Sequence, residues 1–166
     1  MKRTRRATAS AVGIAAIMPM SAPVSESQIA QANSQFWGPM LGVEMQLVAQ
    51  EAADWIADSH VAGWCQLSGA WSGRIEVRLT HGLATMATSA MLALPEESVQ
   101  EADVMDAVKE IANMIAGTIK STLPRPCSMT VPEAVVDASA ELAAASSSAQ
   151  FQHDSGQIIV RLIEQG

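Results

Sequence analysis

The sequence predicts an α+β domain in which a largely antiparallel sheet packs against one long helix and shorter ones. Three observations carry that expectation. Apolar and polar residues alternate in short runs around glycine-bearing turns, as where Ile75, Val77 and Leu79 interleave with Arg74, Glu76 and Arg78. One long segment, from Ser98 to about Leu123, keeps apolar residues at helical spacing throughout. Strand and helix segments do not alternate regularly, which argues against a parallel sheet built from strand-helix-strand units.

The elements follow in order. Gln28 to about Leu41 reads as a short helix through Ile29, Phe36, Trp37, Met40 and Leu41, with Gly38-Pro39 expected to bend or interrupt it. Val43 to Ala49 alternates like a strand, and Glu51 to Ser59 reads as a turn or a short helical piece. Val61 to Ser68 and Arg74 to Leu79 flank the turn Gly69 to Gly73, giving a hairpin with one wet face. Thr80 is the expected N-cap of a helix from His81 to Leu94, which Pro95 ends. Ser98-Val99-Gln100-Glu101 has the form of a capping box for the long helix. Cys127 to Val136 reads as a strand interrupted or bordered by Pro132, hence an edge, and the Ala- and Ser-rich run Asp137 to Ser148 as a loop in preference to a marginal helix. Ala149 to His153 and Gln157 to Glu164 flank Asp154-Ser155-Gly156, a second hairpin.

With 166 residues, 49% of them hydrophobic, the chain can bury one core. The domain is expected over residues 28–166. Residues 1–27 read as a disordered tail, a leader-like extension or a start placed too far upstream. Basic Met1 to Arg6, the weakly apolar Ala11 to Met20 and Ser21-Ala22-Pro23 sketch a leader, but Pro19 interrupts the run and Met20 stands where a cleavage site wants a small residue. The expected location is therefore the cytoplasm, with export as the alternative. No apolar stretch has the length of a membrane span.

Net charge is −7, and Lys2, Arg3, Arg5 and Arg6 supply four of the ten basic residues, so everything after them is acidic. Such a domain repels phosphate backbones and anionic headgroups, which excludes nucleic acid and membrane surfaces as its expected partners. Cys65 and Cys127 form no C-x-x-C pair and read as two reduced thiols; His60, His81 and His153 lie far apart without a second ligand nearby. No metal site is expected. Trp37, Trp55, Trp64 and Trp71 read as packing, and Met86, Met91, Met105 and Met114 as core filler. There is no G-x-S-x-G elbow and no G-K-[ST] phosphate loop.

The long helix has an unusual second face. Val104, Val108, Ile111, Ile115, Ile119 and Leu123 define its buried stripe, while Asp106, Lys109, Glu110, Asn113, Gly117 and Lys120 follow the same spacing on another face. Glu110 and Asn113 thus stand one turn apart, with Cβ atoms about 5–6 Å from each other. Asn and Gly on an exposed helical face each cost roughly 0.5–1 kcal/mol relative to Ala, which invites a functional reason for both. The E-x-x-N spacing alone favours the plainer alternative, with Glu110 a solvated acid, Asn113 a tolerated polar residue and Gly117 a small contact for a neighbouring helix.

The string Asp106-Ala107-Val108-Lys109-Glu110-Ile111-Ala112-Asn113-Met114-Ile115-Ala116-Gly117 closely resembles the D-x-x-x-E-x-x-N helix of the CheX, CheC and FliY phosphatases. Leu67 to Gly73 resembles the strand-turn that introduces CheX domains, Met91-Leu92 the end of their short helix, and Cys127 to Pro132 their strand entering a proline. The likeness runs in order over residues 30 to 165. It departs from CheC-type members with two E-x-x-N helices, since the only other asparagine is Asn33 and Ala30 precedes it by three; the spacing from Asn113 to Pro132 is also shorter than usual.

The resemblance implies a CheC-like fold and a phosphatase for the phospho-aspartate of a CheY-like response-regulator receiver in chemotaxis or two-component signalling. It gives Asn113 the task of positioning the attacking water and Glu110 that of pairing with the receiver's active-site lysine. Only those two roles are carried over; Asp106, Lys109 and Gly117 on the same helix are expected to contact the partner, Asp106 serving equally well to solvate the helix face. The chain itself would bind no cofactor, Mg²⁺ being supplied by the receiver, and sheet edges would allow a homodimer. The alternative is a non-catalytic module that sequesters the phosphorylated regulator.

Overall fold

The structure, a computed structural model, describes residues 22–49, 60–136, 138 and 143–166. Helix α1 spans Glu26–Leu41. It starts before the expected Gln28 because Ser25 caps it: the Ser25 hydroxyl accepts from the Gln28 N–H at 3.3 Å, and the Gln28 side-chain carbonyl accepts from the Ser25 N–H at 2.8 Å. Gly38-Pro39 does not interrupt the helix. Pro39 removes one donor in the last turn, where buried Phe36 and Trp37 already anchor it, and Gly42 ends it in the left-handed conformation at φ 66°.

Strand β1 is Gln46–Val48, shorter than expected, and the segment 51–59 lies outside the described residues. Strands β2 (His60–Gly69) and β3 (Gly73–Thr80) form the expected hairpin, and α2 follows over His81–Leu92. Thr80 holds the N-cap position, but its hydroxyl works across the sheet, accepting from the Gln157 N–H at 3.0 Å instead of capping. The capping box on Ser98 is also corrected. Glu96–Ser98 form a 3-10 turn, and α3 spans Glu101–Lys120 with the Asp103 carboxylate accepting from the Gln100 N–H at 2.9 Å. The expected edge strand splits around Pro132 into β4 (Cys127–Met129) and β5 (Glu133–Val135). Strands β6 (Ser147–His153) and β7 (Gly156–Glu164) make the second hairpin, so the end of the Ala/Ser run is already strand.

The seven strands form one antiparallel sheet in the order β1-β6-β7-β3-β2-β4, with β5 also paired to β2. Helices α1, α2 and α3 pack on it, α1 against β6, α2 against β7 and β3, and α3 against β2 and β3. The core they enclose draws Ile75, Val77 and Leu79 from β3 and Ile158, Val160 and Leu162 from β7. Gly63 sets how closely α3 lies on the sheet. A Cβ there would stand 2.9 Å from the Val108 carbonyl oxygen and 3.2 Å from the Ala112 Cβ, so any larger residue would lift the helix.

The expected wet face of the first hairpin is the main correction. Glu76 and Arg78 are buried, at 1% and 7% exposure, and so is Arg161 at 4%. The reason lies in the strand order: β3 is central, and its register places Arg161 of β7 directly opposite Glu76. The Glu76 carboxylate receives Arg74 at 2.9 Å, Arg78 at 2.8 Å and Arg161 at 3.0 Å. Arg161 also donates to the Ala143 carbonyl, and the Arg74 guanidinium lies over Trp64 at 5.4 Å. Burial pushes the Arg161 guanidinium down from its usual pKa, and the Glu76 charge beside it pulls it back up.

Burial pushes the Cys65 thiol up to about 11 from 9.0. A thiol raised in the folded state stabilises the fold fully below the unfolded value and loses that contribution as pH rises through the folded one. Stability should therefore fall between pH 9 and 11 by up to about 3 kcal/mol, each tenfold difference in proton affinity between the two states being worth roughly 1.4 kcal/mol. Alkaline melting of the native protein beside Cys65→Ala checks this: the wild type is expected to lose stability more steeply, and parallel curves would contradict it.

Candidate active site

Helix α3 is held in one rotational setting by its buried face. Val104, Ala107, Val108, Ile111, Ala112, Ile115, Ala116 and Ile119 are all buried, as the helical spacing requires. The remaining positions are thereby forced outward. Asp106 and Glu110 are exposed, and Asn113, Gly117 and Lys120 are half-buried beside them. Residues 106, 110, 113, 117 and 120 advance by three or four and so share one line along the helix.

Within that line, Asp106 is engaged with Lys109, whose ammonium stands 3.1 Å from its carboxylate in an exposed pair. Such pairs contribute about 0.3–0.5 kcal/mol, so either residue is available to a partner at little cost. Among the described residues, neither the Glu110 carboxylate nor the Asn113 amide has an internal hydrogen-bond partner. Asn33 is the opposite case. It is 0% exposed, and its side-chain carbonyl accepts from Trp37 Nε1 at 2.9 Å, so this asparagine belongs to the interior. Of the two asparagines, only Asn113 has its side chain reaching the surface.

The structure brings together Asp106, Lys109, Glu110, Asn113 and Gly117, all singled out from the sequence. It adds two grooves at the ends of the line. Towards the start of α3, Met91 and Leu92 of α2 join Asp103, Asp106, Ala107 and Glu110 around about 290 Å³. Leu92 and nearby Leu94 are exposed, the chain leaving the helix at Ala93 with φ 53°. Met91 is half-buried and packs against the core, as expected of core filler, whereas Leu94, the expected end of α2, lies beyond the helix and is exposed before Pro95. Towards the end of α3, a groove of about 770 Å³ is lined by Gly117, Lys120, Ser121, Arg125, Pro126 and Cys127. Among the described residues, no group of three or more His, Cys, Asp or Glu side chains is arranged to hold a metal ion.

Gly117 is open where a Cβ would stand, with no atom within 4 Å. It is therefore not a contact for a neighbouring helix, and the fold itself would accept alanine. Gly117→Ala should raise stability by up to about 1 kcal/mol through helix propensity while weakening whatever docks over Asn113. A higher melting temperature with reduced partner affinity is the expected outcome. Lower stability would instead give Gly117 a structural task.

The family described as chemotaxis phosphatase CheX matches residues 61–154. No curated protein matches the chain significantly. Among solved structures, the chemotaxis protein CheX from Vibrio vulnificus is similar at 20% identity and TM-score 0.68, covering 84% of this chain and 95% of that one. CheX from Desulfovibrio desulfuricans matches at 19% identity and TM-score 0.63, covering 84% and 97%. A CheX crystallised in a CheX-CheY-BeF3-Mg²⁺ complex from Borrelia burgdorferi matches at 17% identity and TM-score 0.61, covering 86% and 99%. At these identities the likeness is one of fold, and it gives the mixed helix and antiparallel-sheet architecture expected from the sequence.

Proposed function

We propose that this chain, which belongs to the chemotaxis phosphatase CheX family, hydrolyses the phospho-aspartate of a CheY-like receiver by positioning the attacking water with Asn113. The observation that carries the reading is the Glu110 and Asn113 pair, one turn apart on the outward face of a helix locked by its other face, with neither side chain bonded internally among the described residues. The Borrelia complex, whose CheX binds CheY with BeF3 and Mg²⁺, supports a receiver as the partner.

The chemistry asked of such a pair is small. A receiver's phospho-aspartate already hydrolyses slowly, with Mg²⁺ held by the receiver's own acids, so neither a nucleophile nor a metal is required from this chain. The Asn113 amide has a carbonyl that accepts and an NH₂ that donates, which lets it hold one water in line with the scissile P–O bond. The same logic governs the water-orienting glutamine of GTPases. Glu110 pairs with the receiver's lysine and fixes the register of docking. Asp106, Lys109 and Gly117 complete the contact surface, and the reaction takes place in the cytoplasm, where receivers are found.

The test is side-chain amide NMR. The Asn113 NH₂ resonances are expected to shift when a BeF3- and Mg²⁺-loaded cognate receiver is added, and to move much less with the unloaded form. Shifts confined to other faces of the protein would overturn the assignment of this site.

A further inference from the structure

We propose that Lys120 and Arg125 form a second docking point of the same surface, taking a carboxylate from the rim of the receiver's phosphorylation pocket. The inference rests on the phosphatase reading above. Of the basic residues in the described segments, Arg74, Arg78 and Arg161 converge on Glu76, and Lys109 pairs with Asp106. Lys120 and Arg125 have no acidic partner among the described residues, and both line the groove at the end of α3. In a chain of net charge −7, the two unengaged cations of the described residues thus stand together beside the candidate site.

The groove is continuous with that site. Gly117, one turn beyond Asn113, lines it and puts no side chain in the way. Lys120 lies seven residues from Asn113, about 10 Å along the helix axis. A docked protein covers roughly 800 Å² per partner, a patch about 16 Å in radius, so one receiver seated on Asn113 spans Lys120 as well.

Arg125 is presented from a fixed loop. The Pro126 carbonyl accepts from the Ala70 N–H at 2.8 Å, and Gly69, at φ 130°, sits so close that a Cβ there would fall 2.2 Å from that oxygen. The other polar groups of the groove are spoken for: the Ser121 hydroxyl donates to the Thr118 carbonyl at 2.6 Å, and the Cys127 thiol is turned to the Trp71 carbonyl at 3.8 Å. What the groove offers an incoming molecule is its pair of cations.

An acidic protein approaching the acid-rich, phosphate-bearing pocket of a receiver meets repulsion. Lys120 and Arg125 offset it locally. With Asp103, Asp106 and Glu110 at the other end of the line, α3 presents an acidic end and a basic end, which admits only one orientation of a partner that places its lysine at Glu110.

Affinity for the BeF3-loaded receiver and steady-state turnover of the phosphorylated one, each followed against salt, test the inference. The variant K120A/R125A is expected to raise Kd and KM about tenfold with kcat retained and a flatter salt dependence, and K120E/R125E about 100-fold. The exchanged pair K120R/R125K keeps the charges and should stay within about twofold of the wild type. Unchanged Kd and KM in K120A/R125A, in a protein whose wild type binds the receiver, would overturn the docking point and leave the phosphatase reading intact. So would inorganic phosphate alone occupying the groove while that variant keeps its receiver affinity. A wild type that binds no receiver would bring down the phosphatase reading and this inference with it.

Discussion

Replacing Asn113 by alanine is expected to lower phospho-receiver turnover by at least about 100-fold while leaving affinity for the BeF3-loaded receiver within about threefold. The asymmetry follows from the two side chains' different tasks. On the proposed mechanism Asn113 acts on the water, which is held productively only on the way to the transition state, so its loss would fall on kcat. On the same proposal Glu110 pairs with the partner in the bound state, so Glu110→Ala should fall first on Kd and KM. Misfolding does not compete as an explanation, because alanine is the better helix former by roughly 0.6 kcal/mol and Asn113 has no internal hydrogen bond to lose among the described residues. Single-turnover kinetics beside equilibrium binding separate the two effects. Equal losses in binding and turnover for Asn113→Ala would make the residue a contact rather than the water's holder.

The largest expected effect on stability lies at the other side of the sheet. Glu76→Ala leaves three arginines around an empty position on a central strand, two of them buried. Removing one partner of a buried ion pair destabilises by about 3–5 kcal/mol, a large part of a domain's total stability of roughly 5–15 kcal/mol. Urea titration should show a lower midpoint at an unchanged slope, their product falling by that amount. Replacing Glu76 and Arg161 together by apolar residues should recover part of the loss, because the penalty comes from the uncompensated charge more than from the missing bond. A loss below about 1 kcal/mol for Glu76→Ala would mean that solvent already screens the cluster.

That cluster is built by long-range pairing that a local pattern of residues does not carry. Alternation in β3 correctly located the strand, and Ile75, Val77 and Leu79 face the core as the pattern requires. The same alternation assigned Arg74, Glu76 and Arg78 to water, because a period of two records that the faces differ and not that one is wet. Only the long-range pairing of β3 with β7, which sets Arg161 opposite Glu76, reveals the second buried face. Capping signals were legible but misplaced. Ser98 and Glu101 fit a capping box as well as Gln100 and Asp103 do on paper, and the 3-10 turn at Glu96–Ser98 decides between them. At α1 the Ser25 to Gln28 box stood in plain view just before the first apolar residue.

The candidate site was the most legible part of the chain, because both its residues sit on one element. Helical spacing alone places Glu110 and Asn113 one turn apart opposite a buried stripe, and no tertiary information is needed for that. The two grooves were not legible. Arg125 joins Lys120 through the fold of the loop after α3, and exposed Leu92 approaches Glu110 through the packing of α2 on α3.

The most direct measurement is phosphate release from acetyl-phosphate-charged receiver domains in Mg²⁺, with and without this protein and with its Asn113→Ala variant. The account predicts that at least one receiver loses phosphate faster with the wild type and at its spontaneous rate with the variant. A receiver that binds the wild type yet decays at its spontaneous rate, or more slowly, would contradict catalysis and make the chain a sequestering module.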